Sequence, residues 1–458
     1  MAIDLERPAT RDRNEVVREG IRPDTGVSSA LPPLVAWGLL VGLGIALVYA
    51  LLVATGQKRL DGAPLHGAFS PHLGWTTLVP LALLVVVVCL LSNLQALPWR
   101  GCLAAWWGIG VLWALSLASV RGLHRVVAPF DHNASDYLAV LPKIDSVGSF
   151  LATFTDRIAT LPVHVQGHPP GFVLLAWSLR AVGLRGPAPV ALMVVLVGAA
   201  AAPLALVCAR EVVDEDWARR AAPFVVVAPA ALWIASSADA LYAGVGAAAI
   251  AMVVLATGAA GRRRDALALA GGVLFGMVGF LSYGLVLLAL IPFGVAMHRR
   301  TLRVVVLTLV GAVPVVVAFA LAGFWWVDGL LATRDRYFSG IASRRPYELF
   351  LLVNLSILAI ALGPAIAVAL WRLRNRSCWL LVGGALLAVM VADLTGMSKS
   401  EVERIWLPFT PFILLSGGTL AVRSRASSRV PSLGGAGGWL LVQGCAAIVV
   451  ESLVRTAW

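Results

Sequence analysis

Asp131-His132-Asn133-Ala134-Ser135-Asp136-Tyr137 and, further on, Gln166-Gly167-His168-Pro169-Pro170-Gly171 gather carboxylate, imidazole and phenol in a chain that is otherwise strongly apolar. Asp131 and Asp136 are five apart, so a turn leading into a short helix would let both face one pocket beside His132 and Tyr137. A carboxylate there can take the proton of a hydroxyl as that hydroxyl attacks, and partial burial beside a membrane raises its pKa toward a useful range. A solvated hydrophilic loop would carry the same two aspartates. Pro169-Pro170 fix the backbone at a helix start and hold His168 at the aqueous mouth of the next apolar segment. An imidazole so placed can donate to phosphate oxygens, or simply sit at the interface.

His132 with Asp136, and His164 with His168, have the four-residue spacing that places two metal ligands on one helix face. Gly167 and the prolines interrupt the second pair. A divalent cation, Mg or Mn, bridging carboxylate and phosphate is the form such a site would take, and metal dependence stays open. Asp239 follows Ser236-Ser237 at a break between apolar runs, where an aspartate is costly unless solvated or paired, so it reads either as lining the same cavity or as a simple turn residue. Lys399, Glu403 and Arg404 stand at the mouth of a later apolar run that begins Trp406-Leu407-Pro408, and arginine suits a bidentate phosphate grip. Cations at a helix terminus also anchor spans with no ligand at all. Arg334, Arg336, Tyr337, Arg344 and Arg345 crowd a further connection, which suits an anionic ligand or a lipid head group and equally a solvated amphipathic loop.

What must position these groups is a membrane bundle. The 458 residues are 59% hydrophobic and 13% charged, with a mean hydropathy of +0.87, against roughly a quarter charged in soluble domains. Apolar runs at 32–53, 75–92, 101–119, 190–209, 304–324, 349–371 and 405–421, among others, predict an all-α polytopic membrane protein of about twelve or thirteen transmembrane helices. The organisation expected is a cytoplasmic tail (1–31), one transmembrane domain (32–450) whose first long outer loop (120–168) carries short amphipathic helices, and a C-terminal tail (451–458).

The net charge of +12 comes from arginines clustered between apolar runs, at 262–264, 299–303, 372–376 and 423–429, not from a continuous basic stripe. These read as topology signals that place the N-terminus inside, and they exclude nucleic acid as a partner. The segment 169–189 decides the parity of the spans: if it returns to the outer face, the 262–264 cluster lies inside, which the positive-inside tendency prefers. The five cysteines show neither CxxC spacing nor a disulfide pattern and read as packing residues. P-loop, GxSxG, HExxH and dinucleotide fingerprints are all missing from the sequence.

Taken together, the pattern resembles the GT-C superfamily of integral-membrane glycosyltransferases, in the branch of protein O-mannosyltransferases and aminoarabinose-type transferases. The likeness rests on acidic residues before a tyrosine in an early outer loop (Asp131, Asp136, Tyr137), a His/Lys-Pro-Pro motif (His168-Pro169-Pro170), a serine-rich break before an aspartate (Ser236, Ser237, Asp239), and Glu403-Arg404 ahead of Leu407-Pro408 and Pro411. The resemblance implies a first-loop aspartate as catalytic base and a polyprenyl-phosphate sugar donor at the outer leaflet. It further implies a glycan, lipid or protein acceptor, with membrane lipids around the bundle and a setting in a bacterial plasma membrane. Asp131 and Asp136 are thus the catalytic candidates, His168, Arg404 and Lys399 the donor-phosphate candidates, and His132, Tyr137, His164, Asp239 and Glu403 further site candidates. The alternative, a secondary transporter or a flippase for a lipid-linked substrate, needs ionisable groups near mid-membrane, and apart from Arg180 and residues at their ends the predicted spans are almost free of charge.

Overall fold

The computed structural model describes residues 29–56, 65, 67–131, 137–421 and 435–456. Among them, eight helices are long and apolar enough to cross a membrane. The pair Tyr347–Leu362 and Pro364–Arg372, bent by 96°, makes a ninth if counted as one span, and Trp75–Cys89, Gly171–Ala181 and Tyr283–His298 are shorter apolar helices. All-α and polytopic hold, with the expected dozen or so apolar segments made of full spans mixed with short or broken ones. The run 405–421, read as a span, crosses the bundle as consecutive short turns and not as one regular helix: Val402–Ile405, Leu407–Phe409, Thr410–Leu414 and Leu415–Thr419, leading from Arg404 against Asp239 at one end to Leu415 and Trp217 at the other. Pro408 and Pro411 lack the N–H donors a continuous helix would need there.

Helix Asp239–Gly258 is the axis of the bundle, with 78% of its apolar window buried, whereas Leu31–Thr55 and Leu302–Leu321, at 11%, face outward. Without a hydrophobic force between helices in lipid, close packing of small residues must hold the bundle. A Cβ on Gly272 would run into the Thr308 carbonyl oxygen, and one on Gly311 into that of Leu269, so Gly261–Leu281 and Leu302–Leu321 meet backbone to backbone. Gly244 makes the same close approach to Val197. Phe280 stacks on Phe319 with ring centroids 3.8 Å apart.

Hydrogen bonds identify the two ends of the bundle. At one, Arg299 donates to Glu211 Oε1 (2.8 Å) and Thr257 Oγ1 (3.0 Å), Arg303 pairs with Asp265 (2.8 Å), Arg219 donates to the carbonyls of Gln95 and Leu97, and Arg372 donates to Ser29 Oγ. The arginine clusters at 262–264, 299–303 and 372–376 therefore share the end at which the first helix begins, and the cluster at 423–429 lies outside the described residues. At the other end Gly67–Phe69 pairs antiparallel with Val454–Thr456, and Arg121 donates to the Ser70 carbonyl (2.7 Å), so the chain end and the start of the 120–168 loop meet. Helix Gly171–Ala181 starts at this loop end, and Pro187–Ala199, which packs on Ala128–Phe130, starts there too. The segment between thus returns to the same end, the parity that leaves 262–264 opposite the loop.

The loop itself is short helical turns, Tyr137–Lys143, Val147–Ala152, Ile158–Thr160 and Val163–Gln166, in keeping with the amphipathic helices expected. Ser146 caps one of them by accepting from the Ser149 N–H. Their apolar faces sit on the bundle through Phe150, Phe154 and Phe324, each ring edge-on to the next at 5.5 and 5.4 Å. Among the described cysteines all five are free, and Cys102, Cys208 and Cys378 are buried as packing residues.

Candidate functional site

His168 sits at the start of helix Gly171–Ala181, as its prolines dictate, and Gly171 lets that helix approach so closely that a Cβ would strike the Phe280 carbonyl. The backbone ahead of it is pinned by Gln166, which donates to the Leu161 carbonyl (2.6 Å) and accepts from Arg336 Nε (2.8 Å), while Thr333 donates to its carbonyl (3.1 Å). His168 Nδ1 lies 2.9 Å from the Tyr137 hydroxyl and 2.9 Å from the His164 carbonyl oxygen. A carbonyl only accepts, so Nδ1 carries the proton and the neutral ring offers Nε2 as an acceptor. Burial pushes the His168 pKa down to about 4, against the pull of the Asp239 carboxylate. The neutral ring accepts at Nε2 and would donate from it to a phosphate after gaining a proton.

Tyr137 is buried and central. Its ring lies 5.8 Å from His164, 5.7 Å from His168 and 4.6 Å from Phe172, and its hydroxyl accepts from Tyr242 at 3.3 Å. His168 turns its Nδ1 to the backbone carbonyl of His164, four residues before it. Among the described residues no three His, Cys, Asp or Glu side chains converge as a metal would require. Tyr242 stands one turn after Asp239 in the axial helix, on the same face. Asp239 is fixed from two sides: Ser237 Oγ donates to Oδ2 (2.6 Å) while accepting from the Asp239 N–H (3.0 Å), and Arg404 donates to Oδ2 (2.8 Å). The carboxylate also occupies the first helical turn, where the dipole favours it.

Arg404 is clamped between Asp239 and Glu401, which accepts at 2.6 Å. Glu401 lies 3.8 Å from Arg345, and Arg345 donates to the Lys399 carbonyl. Lys399 points inward, donating from Nζ to the carbonyls of Arg345 (2.9 Å) and Ala342 (3.2 Å) beneath the Phe338 ring. Its ammonium secures the 395–404 connection to the 341–345 turn. The crowded basic connection is thereby divided: Arg345 joins the cluster, Arg336 holds Gln166, and Arg334 lies over Phe338. Ser400 and Glu401 have φ of 75° and 62°, a left-handed backbone that non-glycine residues hold only where the surroundings impose it. Asn354 imposes it, accepting from the Ser400 N–H (3.0 Å) while donating to Asp393 (2.8 Å) and to the Ser398 carbonyl (2.7 Å). Glu403 is buried in the same short helix.

Asp131 ends the turn Ala128–Phe130, half-buried, and the neighbouring Phe130 ring stacks 6.4 Å from Phe172, which also touches Tyr137 and Tyr242. Asp136 and His132 lie outside the described residues. The structure therefore brings Tyr137, His164, His168, Asp239, Lys399 and Arg404 together, and Asp131 adjoins them through Phe130. Tyr242, Asn354 and Asp393 went unread. Tyr242 is the one aromatic residue in an axial helix of small and aliphatic side chains, and Asn354 the one amide in Tyr347–Leu362, which is the signal that marks them.

No family model matches this chain, and no curated protein matches it either. Among solved structures, it is similar to ArnT from Cupriavidus metallidurans in the apo state, at 17% identity and a TM-score of 0.41, over 67% of this chain and 59% of that one. The chain thus matches less than two thirds of that protein's length. At this distance the chemistry rests on the site's own geometry.

Proposed function

We propose that the chain is a glycosyltransferase that moves a sugar from a polyprenyl-phosphate donor to a glycan, lipid or protein acceptor on the extracytoplasmic side of a bacterial plasma membrane. One observation carries the reading: first-loop Tyr137 meets His168 and Tyr242, one helical turn from the buried Asp239–Arg404 pair, at the loop end of an apolar bundle. Chemistry with a lipid-linked phosphate needs such a place, where a charged head group meets fixed polar groups while its tail stays in hydrocarbon. The GT-C resemblance of the short motifs agrees with it.

In an inverting transfer the acceptor oxygen attacks the anomeric carbon, the bond from that carbon to the phosphate oxygen breaks, and the phosphate leaves with the electron pair. Asp131 or Asp136 takes the hydroxyl proton. Arg404, held by Asp239 and Glu401, supplies a fixed positive charge where charge builds on the leaving phosphate, so little reorganisation is needed as the bond breaks. The phosphodiester monoanion of the donor beside His168, and the second charge that builds on its phosphate as the bond breaks, would raise the imidazole pKa from about 4, so a proton taken up with the donor would let Nε2 donate to it. Lys399 keeps the connection that carries Glu401 and Arg404 in place.

The transporter reading gains no support from this arrangement, because the buried Asp239, Glu401 and Arg404 sit at the loop end and not at mid-bundle. The test is transfer of labelled sugar from a synthetic short-chain polyprenyl-phosphate donor by the purified chain in lipid nanodiscs. Labelled product that disappears in Asp131→Asn or Asp136→Asn is the expected result. Full transfer by both single variants and by the double variant would sink the assignment.

A further inference from the structure

A separate cavity of about 190 Å³ opens between the loop helices, away from the tyrosine and histidine cluster. It has room for about six waters' share of liquid volume, enough for a phosphate group and part of what it is attached to. Lys143 and Arg157 stand in its wall with Thr153 and Thr160, over the apolar surface of Phe150 and Phe154. Both threonine hydroxyls already donate to backbone carbonyls, of Ser149 and Arg157, so the cations are the donors left for a ligand. Asp145 and Asp156, the carboxylates nearest to them in sequence, do not line the cavity. Among the described residues neither the Lys143 nor the Arg157 side chain has a hydrogen bond or ion pair, whereas Arg336, Arg345, Lys399 and Arg404 at this end are engaged by protein groups.

Two unengaged cations on the rim of a cavity with an aromatic floor match one ligand chemistry, an anionic head group joined to an apolar body. We propose that this cavity is a second binding subsite, which takes the phosphate of an amphipathic ligand through Lys143 and Arg157 and rests its apolar part on Phe150 and Phe154. The 3₁₀ turn Tyr137–Lys143 connects it to the first site, and at about 2.0 Å per residue it separates the two by about 12 Å. The phosphate therefore lies apart from the reacting centre. Its source is either a bilayer lipid or, on the glycosyltransferase reading above, the acceptor.

The purified full chain in neutral detergent, titrated with fluorescent short-chain phosphatidic acid, tests the subsite without any transfer assay. Lys143→Gln with Arg157→Gln, both exposed and so compatible with folding, should lower affinity about tenfold or more, and added salt should weaken the wild type toward the variant. Phe150→Leu should weaken it less, by losing only ring contact. Equal affinity of the wild type and the double variant overturns the proposal. In nanodiscs of phosphatidylcholine alone, a raised acceptor KM at unchanged kcat in the double variant identifies the acceptor as the source. An unchanged KM together with lost phosphatidic acid binding identifies a bilayer lipid. Absence of transfer in the wild type would remove the glycosyltransferase reading and leave the binding result standing.

Discussion

The two ends of the bundle both carry ion pairs, but they hold them differently. At the arginine end Arg303 and Asp265 are 61% and 28% exposed, and Arg299 and Glu211 are likewise open to water. At the loop end Arg404 and Asp239 are 9% and 5% exposed, and their neighbours Glu401 and Arg345 extend the network inward. Pairs in water contribute little, because solvent and salt screen them and side-chain entropy opposes them. Buried charges must be compensated group by group, and a protein that keeps several of them does so at a cost in stability. The arginine end thus holds pairs that water screens, and the loop end holds charges that only their protein partners compensate.

The sharpest break in this comparison would come at Asp131. If the loop end is a transfer site and Asp131 is its base, Asp131→Asn removes the proton acceptor and lowers kcat by about 10²–10⁴-fold with expression and thermal midpoint unchanged, since the half-buried side chain is no part of the core. Initial rates with the labelled donor measure this. Should Asp131→Asn keep its rate while Asp136→Asn loses it, the base is Asp136 and the comparison survives with the residue exchanged.

Arg404→Ala comes next in size. It leaves Asp239 and Glu401 buried without their cation, and breaking one side of a buried pair costs about 3–5 kcal/mol. The single variant should therefore lose stability in detergent unfolding, and any fall in donor affinity would be confounded by that loss. Asp239→Asn combined with Arg404→Gln removes both charges of the pair and should recover much of the stability. Donor affinity that stays low in the stable double variant assigns the phosphate to this pair; wild-type affinity removes Arg404 from that role.

What the sequence made legible follows from which forces are local. Long apolar runs announce the outward-facing spans Leu31–Thr55 and Leu302–Leu321, and the double proline after His168 announces a helix start. The 96° bend in 349–371 was hidden by its even hydropathy, although Gly363 with φ of 83°, followed by Pro364, carried the signal. The run 405–421 does cross, as its hydropathy suggests, but hydropathy does not show that Pro408 and Pro411 break it into short turns. The site was legible as residue types, not as partners. Asp239 finds Arg404 across 165 positions and Tyr137 finds Tyr242 across 105, and nothing local records either pairing. The sequence therefore pointed Arg404 and Lys399 at a ligand, while the fold first turns them onto carboxylates and carbonyls.

His168 ties the comparison to pH. Its folded pKa of about 4 lies below the 6.5 of an unperturbed imidazole, so between those values the unfolded chain binds a proton that the folded chain refuses. Stability from this group is complete above about pH 6.5 and is lost as pH falls toward 4, amounting to about 3 kcal/mol across that window. His168→Gln should flatten the fall in thermal midpoint over this range relative to wild type. A wild-type midpoint that does not change between pH 6.5 and 4.5 would mean that the ring is not buried and neutral.

The smallest effect is expected at the opposite end, and it is the control for all the others. Arg303 is largely in water and Asp265 keeps Arg264 as a second partner at 3.0 Å, so the carboxylate is not stranded when Arg303 is removed. Arg303→Ala should leave the thermal midpoint and the transfer rate within the scatter of wild type, at both low and high salt. Whatever change does occur should shrink as salt is added, because an exposed pair is screened and a buried one is not. A loss comparable with Arg404→Ala, or one insensitive to salt, would put the arginine end on the same footing as the loop end, and burial would no longer distinguish the charges that serve a site from those that anchor a helix.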